Sequence, residues 1–88
     1  MRRVARVDAN QREITAALRK VGATVQPLHM VGRNFPDLLV GYRQRNYLLE
    51  VKSGKGTLST GQSEWALTWR GHYAEVHSVD EALLAIRI

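Results

Sequence analysis

Asn34-Phe35-Pro36-Asp37-Leu38-Leu39-Val40, followed after a polar turn by Tyr47-Leu48-Leu49-Glu50-Val51-Lys52, is the stretch that decides this fold. The runs Asp37 to Tyr42 and Tyr47 to Lys52 are short and apolar, and turn residues separate them. That pattern predicts an antiparallel hairpin. Two registers are open. A two-residue turn at Arg43-Gln44 pairs Tyr42 with Arg45 and sets Asp37 opposite Glu50. A four-residue loop from Arg43 to Asn46 pairs Leu39 with Glu50 and leaves Asp37 one diagonal step away. Side chains alternate along a strand, so Lys52 returns to the face of Glu50. In both registers Asp37, Glu50 and Lys52 share one side, and Leu38, Val40, Leu49 and Val51 point to the other.

Two carboxylates and an ammonium at the end of an apolar hairpin are costly to place, because a half-buried charge needs a partner, a metal or a function. Paired carboxylates suit Mg²⁺ or Mn²⁺, which bind through one or two such groups plus waters and substrate phosphate. A lysine beside them can hold a phosphate oxygen or act on a water. The plainer alternative is an ion pair of Lys52 with Glu50 or Asp37 at a sheet edge.

Pro36-Asp37 followed by Glu50-Val51-Lys52 resembles the PD-(D/E)XK nuclease signature. The wider context, Gly32 to Leu38, Leu49 to Lys52 and Leu58-Ser59-Thr60-Gly61-Gln62-Ser63-Glu64-Trp65, is similar to the virus-type replication-repair nuclease (VRR-NUC) domain, in a minimal stand-alone form of the kind found in phages. The likeness runs from Glu13 to about Gly71. It implies an α/β fold with a restriction-endonuclease-like core, a mixed central sheet flanked by helices. It also implies that Glu13, from the first helix, approaches the metal site and that Gln62 supports it.

Eighty-eight residues make one domain, 1–88, with a small core. The chain has no cysteine, hence no disulfide and no thiolate metal site, which is compatible with a reducing cytoplasm. No apolar run reaches membrane-spanning length, and Met1-Arg2-Arg3-Val4 lacks a secretory apolar region. The expected location is cytoplasmic, in the host cell if the chain is phage-encoded. Thirteen Lys and Arg against eight Asp and Glu leave a formal charge of +5. Such a balance marks a candidate polyanion binder, and arginine forks match phosphate geometry.

Along the chain, Asp8 to Gly22 reads as a helix with Ile14, Ala17, Leu18 and Val21 on one stripe and Asp8 or Asn10 as cap. Asn10-Gln11-Arg12-Glu13 also has capping-box spacing, a local role open to Glu13. Ala23 to Met30 is a weak strand, and Pro27 places it at an edge or an end. His29 is a polar rim residue or a phosphate contact. Arg33 precedes the metal site in the loop before the hairpin. Ser53-Gly54-Lys55-Gly56-Thr57 lacks the spacing of a nucleotide-binding P-loop, but its glycines let a sugar-phosphate backbone approach and Lys55 is there to meet it. Ser59 to Arg70 is a second helix ending at Gly71, with Ser59 and Gln62 as a capping box and Gln62, Trp65, Ala66 and Trp69 on one face. That face aims Gln62 toward Lys52, and the tryptophans read as core or dimer surface. His72 to His77 alternates as a strand. Ser78-Val79-Asp80-Glu81 is a capping box opening a last helix with Val79, Ala82, Leu83 and Ile86 apolar. The order is α-β-β-β-α-β-α.

The expected function is therefore a Mg²⁺-dependent DNA endonuclease, with Mn²⁺ able to substitute. Asp37, Glu50, the Val51 backbone carbonyl and Glu13, the last directly or through water, are the expected metal ligands. Lys52 and Gln62 complete the catalytic set. Arg33, Arg43, Arg45 and Lys55 are the expected DNA contacts, to backbone and not to bases. Likeness to the stand-alone nucleases further implies a homodimer that resolves four-way (Holliday) junctions, with its interface on the second or the last helix. Cleavage of flaps or linear duplex, RNA as substrate, and a non-catalytic nucleic-acid-binding module are the alternatives.

Overall fold

The computed structural model describes residues 9–88. Arg2, Arg3, Arg6 and the capping candidate Asp8 lie outside the described residues. The elements follow the order α1 (Ala9–Lys20), β1 (Thr24–Pro27), β2 (Leu38–Tyr42), β3 (Arg45–Val51), α2 (Thr60–Thr68), β4 (Tyr73–Val76) and α3 (Val79–Ala85). They build a small α/β structure with one mixed four-stranded sheet in the order β1-β2-β3-β4. The first two pairings are antiparallel, and β4 joins β3 in parallel after the crossover through α2. No helix among the described residues is long and apolar enough to cross a membrane.

The hairpin adopts the tighter of the two registers. Tyr42 pairs with Arg45, Val40 with Tyr47 and Leu38 with Leu49. The two-residue turn places Arg43 (φ 52°) and Gln44 (φ 69°) in the left-handed region. That is the conformation a hairpin turn needs to match strand twist, although neither residue is the glycine or asparagine that adopts it most easily.

Alternation then sorts the sheet into two faces. Leu38, Val40, Tyr47, Leu49, Val51 and Val76 meet Ile14 and Leu18 of α1 and Ala82 and Ile86 of the C-terminal segment in one buried cluster. Of the stripe expected on the first helix, Ile14 and Leu18 are fully buried, but Val21 falls past the helix end and is 39% exposed. Pro27 is the last residue of β1 and β1 is an edge strand, where a missing N–H costs no ladder bond.

The other face carries Asp37, Leu39, Leu48, Glu50 and Tyr73, and α2 is the one described helix that lies over it. Ser59 caps α2 as expected, but the helix stops at Thr68, two residues short of the expected Arg70. The Thr68 hydroxyl takes the Trp65 carbonyl, and the Trp69 N–H reaches back only to Ala66 O, which tightens and closes the last turn. No residue of α2 is buried, so tertiary packing does not extend it. At α3, Ser78 Oγ accepts from Glu81 N (3.1 Å), but Glu81 Oε1 accepts from His77 N (2.7 Å). Half of the expected capping box has moved one residue back.

Candidate functional site

Asp37 sits just before β2 and is pinned twice. Its backbone carbonyl accepts from Leu28 N (2.7 Å), and its Oδ2 accepts from Val51 N (2.8 Å). The carboxylate thus serves as the acceptor for a β3 amide that lies beyond the first residue of β2. The loop delivering it carries consecutive left-handed residues, Arg33 (φ 56°) and Asn34 (φ 66°). It rests on the first turn of α2, where a Cβ on Gly61 would stand 2.7 Å from Asn34 Nδ2.

Glu50 follows from the register. It stands opposite Asp37 on one side, by extension of the Leu38–Leu49 pair, and is paired with Glu75 of β4 on the other. It is the one buried charged residue among those described, at 3% exposure. Burial, then the charge of Asp37 and a hydrogen bond between the two carboxyls, push its pKa from 4.5 to about 8, against the opposite pull of Lys52. A carboxyl pair crowded in this way is a place that takes up a proton or a cation.

Gln62 ties Glu50 to Lys52. Its Nε2 donates to Glu50 Oε2 (3.2 Å), and its Oε1 accepts both from Lys52 Nζ (2.9 Å) and from the Ser59 amide (2.9 Å). One carboxamide closes the capping box expected at Ser59 and also bridges Glu50 to Lys52. Lys52 Nζ also lies 3.6 Å from Glu50 Oε2. Among the described residues no buried side-chain nitrogen or oxygen lacks a partner.

Glu13 is exposed on α1 and has neither hydrogen bond nor ion pair with Asp37 or Glu50. Among the described residues no three His, Cys, Asp or Glu side chains gather as a metal-holding group. Asn10 is not a cap, because it lies inside α1; its Nδ2 donates to Lys52 O (2.9 Å) and His77 O (3.2 Å), tying the helix to the ends of β3 and β4. Of Val51, the N–H meets Asp37. Arg33 and Lys55 are exposed on the loops flanking Asp37 and Lys52. Arg43 and Arg45 are at the hairpin tip, and Arg43 lies over the Tyr42 ring at 5.4 Å. Five residues of strand put that tip about 17 Å from Asp37. His29 is exposed.

β4 adds neighbours that sequence reading did not place. Tyr73, Glu75 and His77 share the face of Glu50, and burial, then Glu50, Glu75 and Asp37, push the Tyr73 phenol to about 12. His77 Nε2 meets Gly56 O (2.9 Å) and Glu75 (3.4 Å), and its Nδ1 meets Glu81 (3.2 Å). The Gly56 carbonyl and then Glu81 raise its pKa above the ordinary value, and the contact holds the loop that follows Lys52. The alternation of residues 72–77 was legible; the parallel register that sets Glu75 beside Glu50 was not, because the pairing spans 25 residues of chain.

The buried Glu50 and the half-buried Asp37 together fit the demands of Mg²⁺, which needs one or two protein carboxylates and completes its shell with water and phosphate. The chain matches no family model, no curated protein and no solved structure.

Proposed function

We propose that the chain is a Mg²⁺-dependent, structure-selective DNA endonuclease with a PD-(D/E)XK core of the virus-type replication-repair kind. The observation that carries this reading is the carboxyl pair Asp37–Glu50, bridged by one glutamine to Lys52 on the same sheet face. A purely structural ion pair needs one acid for one lysine. Here a second acid is crowded against the first at an energetic cost, which a divalent cation would relieve.

Asp37 and Glu50 would hold the ion, with the Val51 carbonyl as a further oxygen and Glu13 reached through water. A divalent ion held there would supply Lewis-acid polarisation of a phosphoryl oxygen and would make the attacking water more acidic. Lys52, kept in place by Gln62 Oε1, pairs with a phosphate oxygen as water adds to phosphorus and the bond to the leaving oxygen breaks. Arg33 and Lys55 flank this point and bind backbone without reading bases. Two nicks across a four-way junction need two sites related by a two-fold axis, which a homodimer supplies. Leu84 (69% exposed) and Ile88 (49%) at the C-terminal segment offer apolar surface for it.

The test is cleavage of labelled four-way junction, flap and linear duplex by wild type and Lys52→Ala, with Mg²⁺ or EDTA. Paired symmetric nicks on the junction, lost with EDTA and in the variant, are expected. Metal-dependent cutting of flap or linear duplex alone would keep the chemistry and remove the junction preference. Binding without cutting under every metal tried would make the chain a nucleic-acid-binding module.

A further inference from the structure

The sheet face that carries Asp37 and Glu50 continues into a groove. Leu39 and Leu48 are paired across β2 and β3, two residues along from the acids on the same face. With Val31, Phe35, Trp69, His72 and their neighbours they line a cavity of about 650 Å³. It stays open because α2 ends at Thr68 and Trp69 leaves the helix in extended conformation. Gly71 gives the indole its place, since a Cβ there would stand 2.9 Å from Trp69 Nε1. One face of Trp69 is stacked on Trp65, with ring centroids 5.0 Å apart and planes at 16°. Phe35 packs edge-on against both tryptophans, at 5.2 and 6.2 Å. Trp69 is still 42% exposed, so the rest of its ring faces the groove.

Charge selects the occupant. Among the described residues no acidic side chain lines the groove. Exposed arginines stand beside its lining residues in the adjoining loops: Arg33 between Val31 and Phe35, and Arg70 between Trp69 and Gly71. An aromatic-walled apolar slot with exposed arginines on its adjoining loops matches an unpaired nucleotide run, whose bases stack while its phosphates meet arginine forks. A second copy of the chain matches less well. In a two-fold contact through this groove the same arginines would meet their own images, and like charges juxtaposed at an interface oppose association.

We propose that this groove holds unpaired nucleotides of a branched nucleic acid, beside the Asp37–Glu50 pair. The location of the cut strand rests on the endonuclease reading; the binding does not. The substrate class selected is a strand leaving its duplex at a branch point, placed so that its phosphates pass the carboxylates.

The experiment is binding in EDTA, with the full chain and a labelled oligothymidylate of about ten nucleotides, within the span one such site covers, against a duplex of equal length. The oligothymidylate should quench tryptophan fluorescence and bind more tightly than the duplex. Trp69→Ala should weaken oligothymidylate binding roughly tenfold, the loss expected for one stacked base, and Trp69→Phe should restore most of it. Leu39→Glu, at a position exposed enough to keep the fold, should weaken the same binding and leave the melting temperature near wild type. Absence of quenching, equal affinity for both probes, or oligothymidylate affinity unchanged in both Trp69→Ala and Leu39→Glu would overturn the proposal. So would a Leu39→Glu chain that sediments as a monomer while wild type is a dimer and keeps its oligothymidylate affinity, since the groove would then belong to a second copy. These readouts need no cleavage, so a wild type that binds here but never cuts sinks the nuclease reading alone.

Discussion

Glu50 is the residue on which the site turns, and its protonation links stability to pH. Its pKa is about 8 in the folded chain against 4.5 as an ordinary carboxyl. Between those values the folded state keeps a proton that the unfolded chain has released. Stability from this group is therefore greatest at low pH and is lost as pH rises from about 4.5 to about 8. In metal-free buffer the melting temperature should fall across that window, and Glu50→Gln should flatten the fall while abolishing cleavage. A steeper fall in the variant would contradict the crowded-pair description. Gln62 and Ser59 separate support of the site from capping of the helix. Ser59→Ala should cost about 1 kcal/mol, as a lost N-cap does, and leave cleavage largely intact. Gln62→Ala should cost a comparable amount and also remove most cleavage, because Glu50 and Lys52 lose their common partner. Equal activity losses in thermal melts and cleavage assays of the two variants would reduce Gln62 to a cap.

At the scale of elements, the hairpin is held in register by its apolar face and strained at its turn. Arg43 and Gln44 both take left-handed conformations that cost a residue with a Cβ roughly 1 kcal/mol or more. Arg43→Asn with Gln44→Gly supplies the residues a two-residue hairpin turn prefers. The double variant should gain about 1 kcal/mol after the glycine entropy cost, read as a rise in melting temperature of about 4–8 °C for a domain of this size. An unchanged or lower melting temperature would show that the arginine contact with Tyr42 outweighs the strain. The turn lies about 17 Å from Asp37, so turnover at saturating DNA should not change, and loss of the Arg43 charge should appear only as weaker DNA binding. α2 stands apart from the other helices: it buries no residue, and its attachment is Gln62 and the aromatic cluster of Phe35, Trp65 and Trp69.

For the molecule as a whole, the proposed nucleic-acid binding would draw on the excess of basic residues through the phosphate backbone. Binding to branched DNA in EDTA should weaken steeply with salt. If about six phosphates are neutralised, affinity should drop roughly a thousandfold between ~50 and ~200 mM salt. A titration with little salt dependence would count against nucleic acid as the partner. The homodimer has its own measurement: sedimentation at micromolar concentration that shows only the monomer would remove the two-fold arrangement from the proposal.

Local pattern was enough for the element order, the hairpin and the caps at Ser59 and Ser78, because each depends on alternation, helical period or a side chain within four residues. The convergence of Asp37, Glu50 and Lys52 on one face was equally legible, since strand pleat alone imposes it whichever turn forms. The turn itself was not decided locally, as neither Arg43 nor Gln44 favours the conformation it adopts; burial of Leu38, Val40, Leu49 and Val51 in one core selects the register. Contacts far apart in sequence had no local signal. Asn10 reaches across 42 residues to Lys52 O and 67 to His77 O, and reads in isolation as a helix cap. Glu75 stands beside Glu50 only because β4 joins β3 in parallel, and the groove opens only because α2 stops at Thr68. The chain's pattern determines which groups share a face; packing around one small core determines which of them meet.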